Sequence, residues 1–222
     1  MADGIYFLDE KLSLLEKRIL DECEKHLKSK GFEYLSTPSA IKWKTWETQD
    51  IKIPVPILGI DATHCLAGSA EQGILERFAN QKVEPRLIYA RNQCFRNESS
   101  YEGLLRVKEF IKVEQFCFAS KETWEEKFNW LLDSATSFLT KLGIESHIRD
   151  VSKLDAGYHI KKYDIFIKTK AYGWIESHSC SYFGEEQSKR FEITGATHTL
   201  SNTGIASPRI LIPFIEGLAK IK

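Results

Sequence analysis

The sequence predicts an α+β fold, a mostly antiparallel sheet flanked by helices. Three observations carry this reading. Apolar residues recur at helical spacing near the start and again past the middle of the chain. Around them lie runs rich in β-formers joined by tight polar turns, which makes neighbouring strands antiparallel. No glycine-rich strand-to-helix phosphate loop is present, which argues against a Rossmann or Walker-type nucleotide site. The 222 residues are 42% hydrophobic and 28% charged, a composition that buries a sizeable core and lies outside the disordered and low-complexity classes.

The elements follow in order. Leu8, Leu12, Leu15, Ile19 and Leu27 mark one face of an amphipathic helix that ends near Gly31. Residues 32–38 read as a strand that stops at Pro38. Residues 40–60, with Trp43, Trp46, Pro54 and Pro56, read as loop with an edge strand. Residues 64–80 read as a turn into a helix with Ile74, Leu75 and Phe78 on one face. Residues 87–95 and 107–118 form a hairpin across the polar loop 97–103. Trp124, Phe128, Leu131, Ala135, Phe138 and Leu142 mark a second long helix, with Gly143 just past its end. Residues 144–151, 163–169 and 172–180 read as strands, and 191–194 as a further short one. Residues 207–219 read as a closing apolar helix with Pro208 near its first turn.

Lys+Arg 31 balance Asp+Glu 31. The zero net charge argues against a strongly basic nucleic-acid module, while leaving room for a local basic patch. The five cysteines are an odd count without CxxC spacing, which argues against a disulfide framework and a zinc ribbon. No apolar run approaches the ~18 residues of a membrane span, and the first residues carry no signal-peptide pattern. The expectation is a cytoplasmic protein.

Three segments carry chemistry. The first is Cys94-Phe-Arg-Asn-Glu98 with Gly103-Leu-Leu-Arg-Val-Lys-Glu-Phe110 and Val113-Glu-Gln115. Strand alternation puts Arg96 and Glu98 on one face, and Phe110 and Glu114 on one face of the return strand. Guanidinium forks suit phosphate and carboxylate, and an aromatic suits a base. A solvated strand face with cross-strand ion pairs fits the same pattern. The second segment is Trp174-Ile-Glu-Ser-His-Ser-Cys-Ser181. Glu176 and Ser179 offer hard oxygen ligands for magnesium on a nucleotide, or they lie at an ordinary strand end. His178 reads as a structural or exposed histidine. The third is His198–Pro213, a polar, small-residue strand turning into a helix with Arg209 in its first turn. Gly204, Ala206 and Ser207 permit close approach of a ligand there, or Arg209 is a plain exposed arginine at a helix start.

In this order the segments resemble the catalytic core of the class II aminoacyl-tRNA synthetases, of the seryl type. Residues 94–115 look like motif 2. Residues 199–216 look like motif 3, and residues 31–38 resemble motif 1, a dimerisation element ending in proline. Ala67-Gly-Ser-Ala-Glu71 looks like the seryl T-x-E loop. Tyr163-Asp-Ile, Glu176-Ser-His-Ser-Cys-Ser181 and Gln187-Ser-Lys-Arg190 resemble the seryl segment before motif 3.

The resemblance implies a class II antiparallel sheet and ATP-dependent formation of an aminoacyl-adenylate. It assigns Arg96 to the ATP α-phosphate and the amino-acid carboxylate. Glu98 and Phe110 would hold and stack the adenine, and Arg106 and Arg209 would clamp the γ-phosphate. Glu176 and Ser179 would bind magnesium. Ser69, Glu71, Glu114 and Thr203, with Arg96, would form the amino-acid pocket for a small amino acid, serine first. Arg96 and Arg209 would be the catalytic pair.

Residues 1–30 are expected to be an N-terminal helix, and 31–222 the catalytic domain. The seryl family begins with a coiled-coil arm that grips tRNA, for which the thirty residues before motif 1 leave no room, and the loop 97–103 is short. These departures imply a non-tRNA acceptor, such as a carrier-protein thiol or a small-molecule amine. A truncated tRNA ligase acting with a partner and a catalytically silent dimeric regulator are the alternatives. Ser69 stands for the family's threonine, and Ser201 for the first asparagine of motif 3. Some armless relatives hold zinc through Cys, Glu and Cys. Here Ser69 takes the place of the first cysteine, Cys65 sits four residues earlier and Cys180 follows Ser179, so magnesium rather than zinc is the expected metal. The motif 1 resemblance implies a homodimer.

Overall fold

The computed structural model describes residues 3–49, 57–154 and 158–220. Its first helix, α1 (Glu10–Ser29), opens at Asp9, whose carboxylate accepts from Leu12 N at 2.8 Å. Ile19, Leu20, Cys23 and Leu27 are buried along one stripe. Gly31, at φ +89°, closes the helix, and Phe32 N donates back to Leu27 O. The chain then forms β1 (Glu33–Tyr34), β2 (Ala40–Lys42), α2 (Trp43–Gln49), β3 (His64–Leu66), α3 (Ala70–Phe78) and β4 (Lys82–Val83). The hairpin β5 (Arg86–Phe95) and β6 (Glu109–Ala119) leads to α4 (Trp124–Lys141). After it come β7 (Ser146–Asp150), β8 (Lys161–Lys168), β9 (Trp174–Gly184), α5 (Glu186–Arg190), β10 (Thr194–Gly195) and β11 (His198–Ser207). A 3-10 turn (Arg209–Leu211) and α6 (Ile212–Ile215) close the described chain.

Among the described residues, seven strands form one sheet in the order β1-β5-β6-β11-β9-β8-β7. Every neighbouring pair is antiparallel except β1 with β5. Alternation along β6 separates the two faces. Val113, Cys117 and Ala119 point to the back, where they join Ile19, Leu20, Leu27, Phe128, Leu131 and Phe138 of α1 and α4 in the main core. Phe116 and Phe118 point to the front and pack with Ile74, Leu75 and Phe78 of α3. Arg91 fastens α1 to the sheet, with Nη1 3.0 Å from both Asp21 and Glu24.

The α+β expectation holds, with corrections. The expected strand at 32–38 is only two residues long and runs parallel to β5. Beyond Leu35 the chain leaves the sheet to cross α3, where Thr37 and Pro38 press on Gly73, and Pro38 has no N–H to continue a ladder. Residues 43–49 form a helix where loop was expected; it buries Thr45 and Gln49 rather than an apolar stripe. Pro54 and Pro56 lie outside the described residues. The expected strand at 191–194 shrinks to β10, preceded by the unforeseen α5. The expected helix at 207–219 is instead a strand end, a 3-10 turn and one turn of α-helix. Pro208 and Pro213 withhold donors, and Gly217 at φ +71° ends the run.

Candidate active site

An open cleft lies on the front of the sheet. The loop between β5 and β6 supplies Arg96, Glu98 and Arg106, and β6 supplies Phe110 and Lys112. From β9 come Glu176 and Ser179, from β11 Thr203, Ala206 and Ser207, and from the following turn Arg209. Four cations thus face two carboxylates, a balance that suits a polyphosphate. The sequence expectation placed Arg96, Glu98 and Arg106 on two strands; β5 ends at Phe95 and β6 begins at Glu109, so all three sit on the loop.

Two β-bulges aim the walls. Glu176 and Ser179 are three residues apart, and plain alternation would send them to opposite faces. Ser179 pairs with Asp164 and Glu176 with Phe166, so Ser177 is the extra residue and both side chains reach the cleft. On β11 the extra residue is Gly204, which lets Thr203 and Ala206 share the front face. A Cβ on Gly204 would lie 3.1 Å from Val113 O and 3.2 Å from Leu27 Cδ1, so a side chain there would press on its neighbours by a few tenths of an ångström. His178 ties the bulges together. It is fully buried, its Nε2 lies 3.0 Å from Gly204 O, and burial pulls its pKa down to about 4. His178 is therefore neutral, and the Nε2–H tautomer donates.

Arg209 is held rigidly. Its Nε and Nη2 donate to Leu105 O at 3.1 and 2.9 Å, and its Nη1 donates to Glu176 O at 2.8 Å. Burial lowers its pKa, opposed by the charge of Glu176. Arg96 stacks its guanidinium 5.3 Å from the centre of the Phe110 ring. Its Nε is buried and has no hydrogen-bond partner.

Beside the cleft lies a buried polar cluster around two glutamates. Ser69 caps α3 and donates from Oγ to Glu114 Oε2 at 2.5 Å. Lys112 Nζ pairs with the same oxygen at 2.7 Å. Thr203 stands opposite Glu114 in the ladder. Glu71 is buried, and its Oε1 accepts from Gln49 at 2.5 Å and from Gln187 at 2.7 Å. Burial, reinforced by Glu114, raises the pKa of Glu71. The structure thus gathers Arg96, Glu98, Arg106, Phe110, Glu176, Ser179, Thr203 and Arg209 around one cleft, with Ser69, Glu71 and Glu114 in a buried polar cluster reached through Lys112 and Thr203. Sequence reasoning missed Lys112 and Gln49, and it named Gln187 only within a motif segment, without a role. Lys112 was legible, because it shares a strand face with Phe110 and Glu114; Gln49 lies at the end of the unforeseen helix.

Glu176 and Ser179 present a carboxylate and a hydroxyl to one cleft, a donor set that fits a hard divalent cation. Among the described residues no group of three His, Cys, Asp or Glu side chains gathers as a metal site. Cys65 and Cys180 belong to different core clusters.

Residues 60–211 match the family described as tRNA synthetase class II core domain (G, H, P, S and T). The chain belongs to this class II synthetase core family. It is 31% identical to the serine–tRNA ligase of Deinococcus radiodurans over 95% of its own length and 55% of that protein. The serine–tRNA ligase of Methanoregula boonei is also 31% identical, over 96% of this chain and 56% of the relative. The chain therefore spans about half the length of these curated relatives. Among solved structures, the seryl-tRNA synthetase of Pyrococcus horikoshii complexed with ATP superposes with a TM-score of 0.88 at 24% identity, covering 96% of this chain and 53% of the other. The cytoplasmic serine–tRNA ligase of Naegleria fowleri in complex with AMP gives 0.88 at 21%, covering 96% and 56%. These likenesses establish the class II fold. Among the described residues no helix is long and apolar enough to cross a membrane.

Proposed function

We propose that the chain activates a small amino acid with ATP, forming an aminoacyl-adenylate and pyrophosphate. The observation that carries this is Arg96: its Nε is buried without a partner in the wall of the cleft, while its guanidinium lies on Phe110. Arg96 is partly exposed to the cleft, so its charge can meet a phosphate there, and the half-buried ring of Phe110 beside it can take a base. The amino-acid carboxylate attacks the α-phosphorus, so the nucleophile is already ionised and no general base is needed. Charge builds on the non-bridging oxygens, and Arg96 is fixed in place to meet it. Glu98 holds the adenine, and Arg106 and Arg209 clamp the γ-phosphate end. Magnesium held by Glu176 and Ser179 would supply charge neutralisation on the phosphates. Glu71 and Glu114 take the substrate ammonium, with Ser69 and Thr203 beside a small polar side chain, serine first.

For the acceptor, zero net charge favours a group recognised without a polyanion groove, such as a carrier-protein thiol or a small-molecule amine. The names of the relatives favour tRNA as the second reading. The same proposal includes a cytoplasmic homodimer formed around β1, where Tyr34 is 56% exposed on the sheet edge.

Pyrophosphate exchange on Arg96→Ala tests the activation step. A loss of about 10²–10³-fold is expected; an unchanged rate overturns the assignment of Arg96, and no exchange in the wild-type chain leaves a silent dimeric module. Transfer from preformed adenylate to carrier-protein thiol, amine or tRNA then identifies the acceptor.

A further inference from the structure

The segment that precedes α1 touches the loop that supplies Glu98 and Arg106. Gly4 O accepts from Lys108 N at 2.9 Å, where the loop returns to β6. Gly4 is buried at φ +76°, and a Cβ there would lie 2.4 Å from Cδ1 of Tyr101. The glycine therefore rests directly on the Tyr101 ring. Tyr101 sits within the loop, with its hydroxyl 3.5 Å from Asn97 Oδ1 and Lys108 Nζ 5.4 Å from its ring centre. The same loop folds on itself, since Glu102 and Arg106 exchange backbone hydrogen bonds at 3.0 Å. Arg106 Nη1 reaches Ser100 Oγ at 3.4 Å. Asp3 fixes the approach of the segment by accepting from Ile5 N at 3.2 Å. Leu8 packs on the main core.

We infer that residues 3–8 are a strap, with Gly4 as its positioning residue, that presets the β5–β6 loop so that Arg106 and Glu98 face the nucleotide. Arg209 holds the loop from the cleft side through Leu105 O, and the strap holds it at Tyr101 and Lys108. With both anchors in place, ATP meets an ordered loop and does not spend binding energy on fixing it. The inference rests on the ATP reading above for its kinetic consequence, but the anchoring itself is measurable without nucleotide.

The test uses Gly4→Ala and Tyr101→Ala in the full chain. Gly217→Ala serves as the control, because Gly217 has a similar φ of +71° with nothing within 4 Å of its Cβ position. Hydrogen exchange without ligand should show amides 98–107 opening about tenfold faster in both strap variants, with the α4 amides unchanged. In pyrophosphate exchange the KM for ATP should rise about tenfold, with kcat and the KM for the amino acid within about twofold. Wild-type exchange of 98–107 in both variants would overturn the strap. So would faster loop exchange accompanied by an equal fall of kcat for every substrate, which marks general destabilisation. Failure of the wild-type chain to bind ATP would count against the proposed function alone, because the hydrogen-exchange arm would still decide the strap.

Discussion

Two nitrogens of Arg209 grip the carbonyl of Leu105, Nε at 3.1 Å and Nη2 at 2.9 Å. The third, Nη1, reaches Glu176 O. One guanidinium thus fastens the loop to β9 across the cleft mouth. Lysine keeps the charge but presents a single point donor in place of a planar fork. Arg209→Lys should therefore lower pyrophosphate exchange about 10²-fold while retaining the fold. An exchange rate within twofold of wild type would show that charge alone suffices.

Glu71 pits function against stability. Its carboxylate is buried, burial raises its pKa, and Gln49 and Gln187 donate to one oxygen. Glu71→Gln removes the cost of burying a charge and preserves an acceptor. The variant should melt higher than wild type and show an amino-acid KM raised by about tenfold or more, since the carboxylate charge facing the ammonium is lost. Calorimetry and exchange kinetics on one preparation check both signs.

Gly204 is held by contact rather than by φ. A methyl group would push on Val113 O and Leu27 Cδ1 at 3.1 and 3.2 Å. Gly204→Ala should cost about 1–3 kcal/mol, the range for overpacking a tight core. Denaturant unfolding measures it, and a neutral result would mean that the bulge relaxes freely.

Much of this was legible in the sequence. Long helices announce themselves, as α1 and α4 do through Ile19, Leu27, Phe128 and Phe138, because an apolar stripe must repeat at 3.6 residues. The hairpin bearing Arg96 and Glu114 was legible in its two runs of β-formers joined by a polar loop. Short elements were not. The helix from Trp43 to Gln49 buries Thr45 and Gln49, so no apolar stripe marks it, and its contribution of Gln49 to Glu71 arises only from tertiary contact. The bulges at Ser177 and Gly204 were equally hidden. A bulge reverses which side chains face the site, and its signature lies in the pairing partner rather than in the strand itself.

His26 gives the protein a pH response remote from the cleft. Its Nε2 donates to Ser134 O at 2.9 Å, and its ring lies 5.4 Å from that of Phe138. Burial lowers its pKa, with Lys30 and Lys141 adding repulsion and Asp133 opposing them. The folded state thus binds a proton less readily than the unfolded chain, whose histidine titrates near 6.5. The stability contributed by the neutral ring is full above that value and is lost as pH falls through the lower folded-state pKa. Melting temperature should fall more steeply with acid below about pH 6.5 in wild type than in His26→Gln. Parallel curves would remove His26 from the account.

The most direct measurement is ATP–pyrophosphate exchange with each of the twenty amino acids in turn, in the presence of magnesium. Exchange with one small amino acid, serine first, is expected, abolished by Arg96→Ala. ATP binding without exchange for any amino acid would contradict it, and would leave the cleft as a nucleotide site that does no amino-acid chemistry.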